Sequence, residues 1–510
     1  MSDWRGGYQA DIGYTYGYYS ELNPLRAELA LLNARLSTPK MSNACELGFG
    51  QGLSVNIHTA ASATQWYAND FSPSHAAFAL ELAQAADAGA HLFDESFAEF
   101  ASRDMPDFDF VGVHGIWSWI SDANRTVIVD FIRRKLKVGG ILYISYNTFP
   151  GWAGFAPMRH LIMEHAHIIG AEGQGIISRI NGALEFAEKV IETNPLYARA
   201  NPQVAERLKQ IKDQNRNYVA HEYFNTDWLP MHFATLAKWL APAKVSYACS
   251  AHYHDHIDAI NMTAEQQKLV GGIPDALMRE TVRDFMLNQR FRRDYWVKGA
   301  PQLSPLDQME AVRNKQVLLV AHRPDVPKKI TGGLGEAGLV ESVYNPILDL
   351  LSNHNTRTIG QISDAVAAQG LNFPQVFQAI LILLGAGQLA AAQDDEAISR
   401  AKIHTDKLNA HLIDSARSSN DISWLASPVS GGGIHLGRFA QLFLLARLQG
   451  KKQPNEWVDF VWPILALQGQ RLIKDGKPLE TEKENLSELL AYAEAFAEKD
   501  LPRLKALQIA

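Results

Sequence analysis

Residues 45–54 read Cys45-Glu46-Leu47-Gly48-Phe49-Gly50-Gln51-Gly52-Leu53-Ser54. A short apolar run ends in an acid, glycines follow at alternate positions, and helix-forming sequence resumes after the last of them. The pattern predicts a strand, a tight turn and a helix. Glycine tolerates positive φ and has no Cβ, so backbone N–H groups at the helix N-terminus can approach a ligand closely. Dinucleotide-binding turns space their glycines as G-x-G-x-x-G. Here the spacing is E-x-G-x-G-x-G, which does not meet that fingerprint.

Such a turn gains meaning when an acid stands about 20 residues on, at the end of the next strand, to hold ribose hydroxyls. Residues 64–69, TQWYAN, read as that strand and Asp70 follows it, with Phe71 beside it. Ser72 and Pro73 then supply an N-cap and a first-turn proline for the next helix. Glu46, Gly48, Gly50, Gly52 and Asp70 together match the S-adenosylmethionine loop of class I methyltransferases better than a nicotinamide site.

The 510 residues predict two to four domains. Hydrophobic content of 47%, 20% charged residues and a net charge of −7 describe a globular chain without the basic footprint of a nucleic-acid binder. Two distant cysteines, Cys45 and Cys249, offer neither a disulfide framework nor metal-ligand spacing. The N-terminus has no apolar signal region, and the longest apolar stretch, 379–387, is too short to span a membrane. A cytoplasmic protein is expected.

Between residues 43 and 146, β-rich runs alternate with helical patterns: strands at 43–47, 64–69, 90–94, 108–114 and 140–146, helices at 53–63, 73–88 and 122–136. Alternation of this kind predicts an α/β fold with a parallel sheet, and ligands at the carboxyl ends of its strands. Those ends place Ser96 and Phe97 near an adenine, and His114 and Gly115 beyond the fourth strand. Ahead of the turn, Tyr14, Tyr16, Tyr18 and Tyr19 precede a helix opened by Asn23-Pro24; they read either as a lid over the cofactor, with Tyr16 touching it, or as packing on the sheet edge.

The loops HGIWSWI (114–120) and SYNTFPGW (145–152) concentrate aromatic side chains at one edge of the sheet. Ring faces attract cations by roughly 0.5 to 2 kcal/mol each, which suits an amine acceptor beside a sulfonium. Trp117, Tyr146 and Asn147 are the expected lining of an acceptor channel.

Taken together, ELGFGQG, NDFSP, HGIWSWI and SYNTFPGW resemble the class I methyltransferases that carry a methyltransferase regulatory domain, a family that includes bacterial protein-lysine methyltransferases acting on outer-membrane proteins. VAHEYFNTDWLPMHF (219–233) and NQRFRRDYWVKG (288–299) resemble the regulatory domain, and LASPVSGGGIHLGR (425–438) the C-terminal region. The resemblance implies S-adenosylmethionine as cofactor, a loop formed by Glu46, Gly48, Gly50 and Gly52, a ribose held by Asp70, and a methionine part near the backbone of His114 and Gly115. His221, Glu222 and Tyr223 are candidates for handling the amine proton, with an ion pair or cap as the bland alternative.

Residues 244–250 and 292–297 read as a sixth and seventh strand around a helical insertion. The run AHYHDH (251–256) is short by one residue of a metallo-hydrolase pattern, and no metal is expected. Asn345-Pro346, a Thr358-to-Gln361 capping box and Pro374 open three helices before a strand, GQLAAAQ: a winged-helix-like module whose third helix carries no Lys or Arg for phosphates.

The expected organisation is 1–155 with 240–300 as a Rossmann-like methyltransferase domain, 156–335 as helical insertion and regulatory domain, 340–395 as the winged-helix-like module, and 396–510 as a C-terminal helical domain. The expected partner is a protein lysine or other amine acceptor. A small-molecule methyltransferase acting on an amino sugar or cell-surface precursor, and a cofactor-binding regulator without turnover, are the rivals. Oligomeric state stays open, a homodimer included.

Overall fold

The computed structural model describes residues 13–171, 173 and 175–510; residues 1–12, part of the expected first domain, lie outside them. The β-rich runs form strands because helices bury them on both faces. β1 (Asn43–Leu47), β2 (Gln65–Asp70), β3 (His91–Asp94), β4 (Phe108–Val113), β5 (Leu136–Asn147), β6 (Ser246–Ser250) and β7 (Phe291–Val297) make one sheet in the order β3-β2-β1-β4-β5-β7-β6. β1 to β5 are parallel, and β7 runs antiparallel between β5 and β6. The runs at 244–250 and 292–297 are therefore the last two strands of the sheet.

Around the sheet lie α1 (Pro24–Asn33), α2 (Leu53–Ala61), α3 (Pro73–Ala86), α4 (Phe97–Ser102) and α5 (Asp122–Lys135). Asn23 caps α1 by accepting from Leu25 N at 2.9 Å, with Pro24 as the first helical residue. Side chains of the strands alternate between two cores. Ala44, Phe110, Ile141 and Tyr143 meet α1, whereas Cys45, Val111, Leu142 and Ile144 meet α5.

The insertion after β5 is α6 (Ala156–Ile168), α7 (Ile176–Glu192), α8 (Leu196–Ala200), α9 (Gln203–Asp213) and α10 (Arg216–Tyr223), followed by α11 (Phe233–Leu240), which returns to the α5 face. Its own core joins Met158, Ile162, Ile180, Leu184, Leu208 and Tyr223.

Farther on, the strand Gln316–Leu319 pairs antiparallel with Arg357–Thr358 and with Leu389–Ala392, so two strands join the one read from the sequence. The first helix of this region starts at Glu341 rather than Asn345, with Pro346 inside it. Burial of Ile347 and Leu348 outweighs the backbone hydrogen bond that Pro346 cannot make. The capping box of Thr358 and Gln361 forms as read. The third helix, Phe373–Gly385, is packed on the turn Tyr253–His256, where His254 Nε2 lies 3.1 Å from Ile382 O.

The C-terminal region is seated on the helix that follows the glycine turn. Leu53 and Ile57 of α2 share a core with Leu408, Leu412 and Leu425, and Tyr18 is wedged between His58 and Trp424. Among the described residues no helix is long and apolar enough to cross a membrane.

Candidate active site

The three glycines of the turn have different reasons to be glycine. All adopt positive φ: 72° at Gly48, 59° at Gly50 and 71° at Gly52. A Cβ on Gly52 would stand 2.4 Å from Ala79 Cβ on α3, so this glycine permits helix packing and does not line a cavity. A Cβ on Gly48 would stand 2.8 Å from Ile116 Cγ2 in the loop after β4. On Gly50 it would meet only the Tyr14 ring, at 3.4 Å.

Glu46, Gly48, Gly50, Asp70, Phe71, Ser96, Phe97, His114 and Gly115 converge on one cavity at the carboxyl ends of β1 to β4. Asp70 fixes the turn: Oδ2 accepts from Gly50 N at 2.8 Å, and Oδ1 accepts from Ser72 N at 3.0 Å and lies 3.2 Å from His75 Nδ1. Glu46 Oε2 is buried without a hydrogen-bond partner among the described residues, and burial, with Asp70 close by, pushes its carboxyl up to about 8. A buried acid of this kind fits a ligand that brings a positive charge or donors to it. Ser96 caps α4, accepting from Glu99 N at 3.3 Å. Gly115 N donates to Ser145 Oγ at 2.8 Å, which fixes the backbone there. His114 stacks on Tyr19 with centroids 3.6 Å apart, and burial pulls it down to about 4, so its imidazole is neutral at physiological pH.

A second cavity shares Tyr14, Tyr19, His114, Gly115 and Trp119 with the first and runs on to Asn147, His221, Glu222 and Tyr223. The tail of α10 brings the last three there. Trp119 Nε1 donates to Glu222 O at 3.3 Å, and His221 Nε2 lies 3.3 Å from Gly13 O. Burial pushes the Glu222 carboxyl up to about 7; the Asn147 amide and the guanidiniums of Arg207, Arg290 and Arg159 pull it the other way. Arg207 donates to Tyr223 Oη at 3.2 Å.

Three expected contacts lie elsewhere. Tyr146 is in phase with Leu142 and Ile144, because β5 runs on to Asn147; it is therefore buried on the α5 face, its Oη donating to Asp294 Oδ2 at 3.0 Å. Trp117 belongs to a 3₁₀ turn that sends it inward, with Nε1 3.3 Å from Met231 Sδ, and presents Trp119 to both cavities instead. Tyr16 packs edge-on against Phe78 at 5.0 Å, and Tyr14 and Tyr19 are the tyrosines at the cavity. Asn69, His75 and Asp227 also line the first cavity and were not legible as site residues. In the 251–256 run, His256 Nε2 lies 2.7 Å from Ser250 O and His252 Nδ1 3.2 Å from Asp255 Oδ1. Among the described residues no group of three or more His, Cys, Asp or Glu side chains is placed to hold a metal.

Residues 215–298 match the family model described as a predicted methyltransferase regulatory domain. Protein sll1526 of Synechocystis sp. is 40% identical over 511 residues, covering 99% of each chain. The solved structure of PKMT2 from Rickettsia typhi in complex with AdoHcy superposes with a TM-score of 0.70 at 16% identity, covering 98% of this chain and 100% of that one. The chain belongs to one family with protein sll1526, and its fold is that of the class I methyltransferases. Protein RP789 of Rickettsia prowazekii is a partial relative, 25% identical over 203 residues, or 39% of this chain and 34% of that protein.

In this chain the matched stretch is no appendage. It contains β6 and β7, and it brings His221, Glu222, Tyr223 and Arg290 to the second cavity and Asp227 to the first. What the family name calls regulatory completes the sheet and walls the site.

Proposed function

We propose that the chain transfers a methyl group from S-adenosylmethionine to an amine nitrogen, and that the amine belongs to a lysine side chain of a protein. The observation that carries this reading is the joining of the two cavities at Tyr14, Tyr19, His114, Gly115 and Trp119. One cavity is built on the glycine turn and two buried acids; the other ends in a carboxyl group poised near neutrality. The class I methyltransferase fold supports the donor, and the resemblance to bacterial protein-lysine methyltransferases supports the acceptor.

S-adenosylmethionine, when bound, supplies an electrophilic methyl group on a positively charged sulfur. The chain's own residues would do the rest by position and field. Asp70 would hold the ribose and Glu46 would face the cationic end. The rings of Tyr14, Tyr19 and Trp119 keep water from the junction and favour positive charge there. The incoming amine must be neutral to attack, and Glu222 is the group beside it able to accept its proton. Neutral His114 would position without taking one. Cys45 and Cys249 are buried thiols, in keeping with the reducing cytoplasm we assign.

Two outcomes follow. In a lysate given radiolabelled S-adenosylmethionine, label is expected in the protein fraction, on lysines by peptide mapping, and absent with Gly50→Arg. Label in small metabolites alone would move the acceptor to the amino-sugar class, and none at all would favour a regulator without turnover. Separately, affinity for S-adenosylmethionine is expected to rise between pH 6 and pH 9, because Glu46, held up to about 8 by burial, must ionise to face a cation. By calorimetry Glu46→Gln should flatten that rise; an equal rise in the variant would remove Glu46 from the donor site.

A further inference from the structure

The charges along β7 and the turn before it are mostly paired. Arg292 meets Glu280, Asp284 and Asp294 at 2.6 to 2.9 Å, and Arg293 meets Glu21 at 2.7 Å. Arg290, on the same stretch, has no carboxylate within salt-bridge distance among the described residues. Neither has Arg207 of α9, and the two line the second cavity together. They come from distant parts of the chain, one from the insertion and one from the turn into β7.

Arg207 is held in place from one side. Its guanidinium lies 4.3 Å from the Trp152 ring centroid and 4.8 Å from that of Phe155, and its Nη2 reaches Tyr223, yet its Nε is buried without a hydrogen-bond partner among the described residues. Arg290 stands exposed at the mouth. Each guanidinium repels the other, and the partial desolvation of the Arg290 head group, with that repulsion, pulls it below its ordinary range. Among the described residues the one carboxyl group lining the cavity with them is that of Glu222, which must be free to take a proton.

We propose that Arg207 and Arg290 form a receptor for a carboxylate carried by the acceptor close to the amine that is methylated. This rests on the amine-acceptor reading above. Two positive groups facing one acid would repel a lone ammonium. An acceptor with a carboxylate beside its amine enters without net charge and gives each guanidinium a planar, two-pronged partner. The same positive field favours the neutral form of the amine, which is the form that attacks. Two sources share this chemistry: an acidic residue next to lysine in a protein, and the α-carboxylate of free lysine. Arg290 at the mouth suits the first, because a flanking residue trails behind the side chain that enters.

The test uses the full chain with S-adenosylhomocysteine present and three probes: a capped peptide with glutamate beside lysine, the same peptide with glutamine, and free lysine. Calorimetry is expected to show the glutamate peptide binding at least tenfold tighter than the glutamine peptide, and tighter than free lysine. The ratio should fall below twofold in Arg290→Gln, an exposed site whose change leaves folding intact, and in Arg207→Lys, which keeps charge over Trp152 but loses the fork. Free lysine binding tighter than either peptide would keep the receptor and assign the carboxylate to the acceptor's own backbone. A ratio within twofold in the unaltered chain, or one that survives in both variants, overturns the proposal. Intact mass after adding S-adenosylmethionine separates the two readings. Both peptides methylated but bound equally would overturn the receptor and keep the amine acceptor; tenfold preference with no methyl transfer would do the reverse.

Discussion

Asp70→Ala is expected to weaken binding of S-adenosylmethionine by at least about a hundredfold and to lower the melting temperature by several degrees. The carboxylate accepts from Gly50 N and Ser72 N at 2.8 and 3.0 Å, with His75 Nδ1 at 3.2 Å. A buried donor left without its acceptor costs about 1–3 kcal/mol. The glycine turn would lose its anchor to β2 at the same time as the ligand lost the acid we propose for its ribose. An ionised carboxylate has about four acceptor positions, so three protein donors leave capacity for a hydroxyl. Asp70→Asn separates the roles: its amide keeps the shape and one acceptor, restoring most of the melting temperature, but turns a donor toward one of the three groups and leaves affinity low. Calorimetry and thermal melts read both. A folded Asp70→Ala variant with affinity within threefold of the unaltered chain would make the acid a brace for the turn and nothing more.

The glycine turn was legible because its requirements are local. Positive φ at Gly48, Gly50 and Gly52 follows from the residue type, and the strand, helix and following acid are written within one βαβ unit. Late strands β6 and β7 were legible for the same reason: SYACS and FRRDYWV are β-rich whatever lies between them. The aromatic residues show where local reading ends. Trp117 and Trp119 are chemically alike, and so are Tyr14 and Tyr16; which of each pair meets the cavity depends on the phase of a 3₁₀ turn and on the packing of Phe78. Tyr146 turned inward because it alternates in phase with Leu142 and Ile144 on the face of β5 that meets α5. Arg207, Arg290 and Asp227 carry no local signal. They became site residues only when an insertion and a late strand were folded back over the ends of β4 and β5.

Glu222→Gln is expected to lower the methyl-transfer rate about 10²-fold or more, the range a positioned general base contributes, while leaving the protein folded. Burial holds the Glu222 carboxyl up at about 7, so its uncharged form is accessible near neutral pH, and glutamine is close to an isostere of that form. The sign for stability follows. An acid whose folded value is raised costs folding free energy as pH climbs from its ordinary range through about 7, so the variant should melt no lower than the unaltered chain at pH 8. The sign for catalysis is opposite. A base acts ionised, so single-turnover rates in the unaltered chain should fall about tenfold per pH unit below 7, and the inflection should vanish in Glu222→Gln. Arg207 and Arg290 pull the same carboxyl down, so Arg290→Gln should shift that inflection upward without removing it. An unchanged rate and inflection in Glu222→Gln would send the proton to water instead, and leave Glu222 as the charge that balances the two arginines.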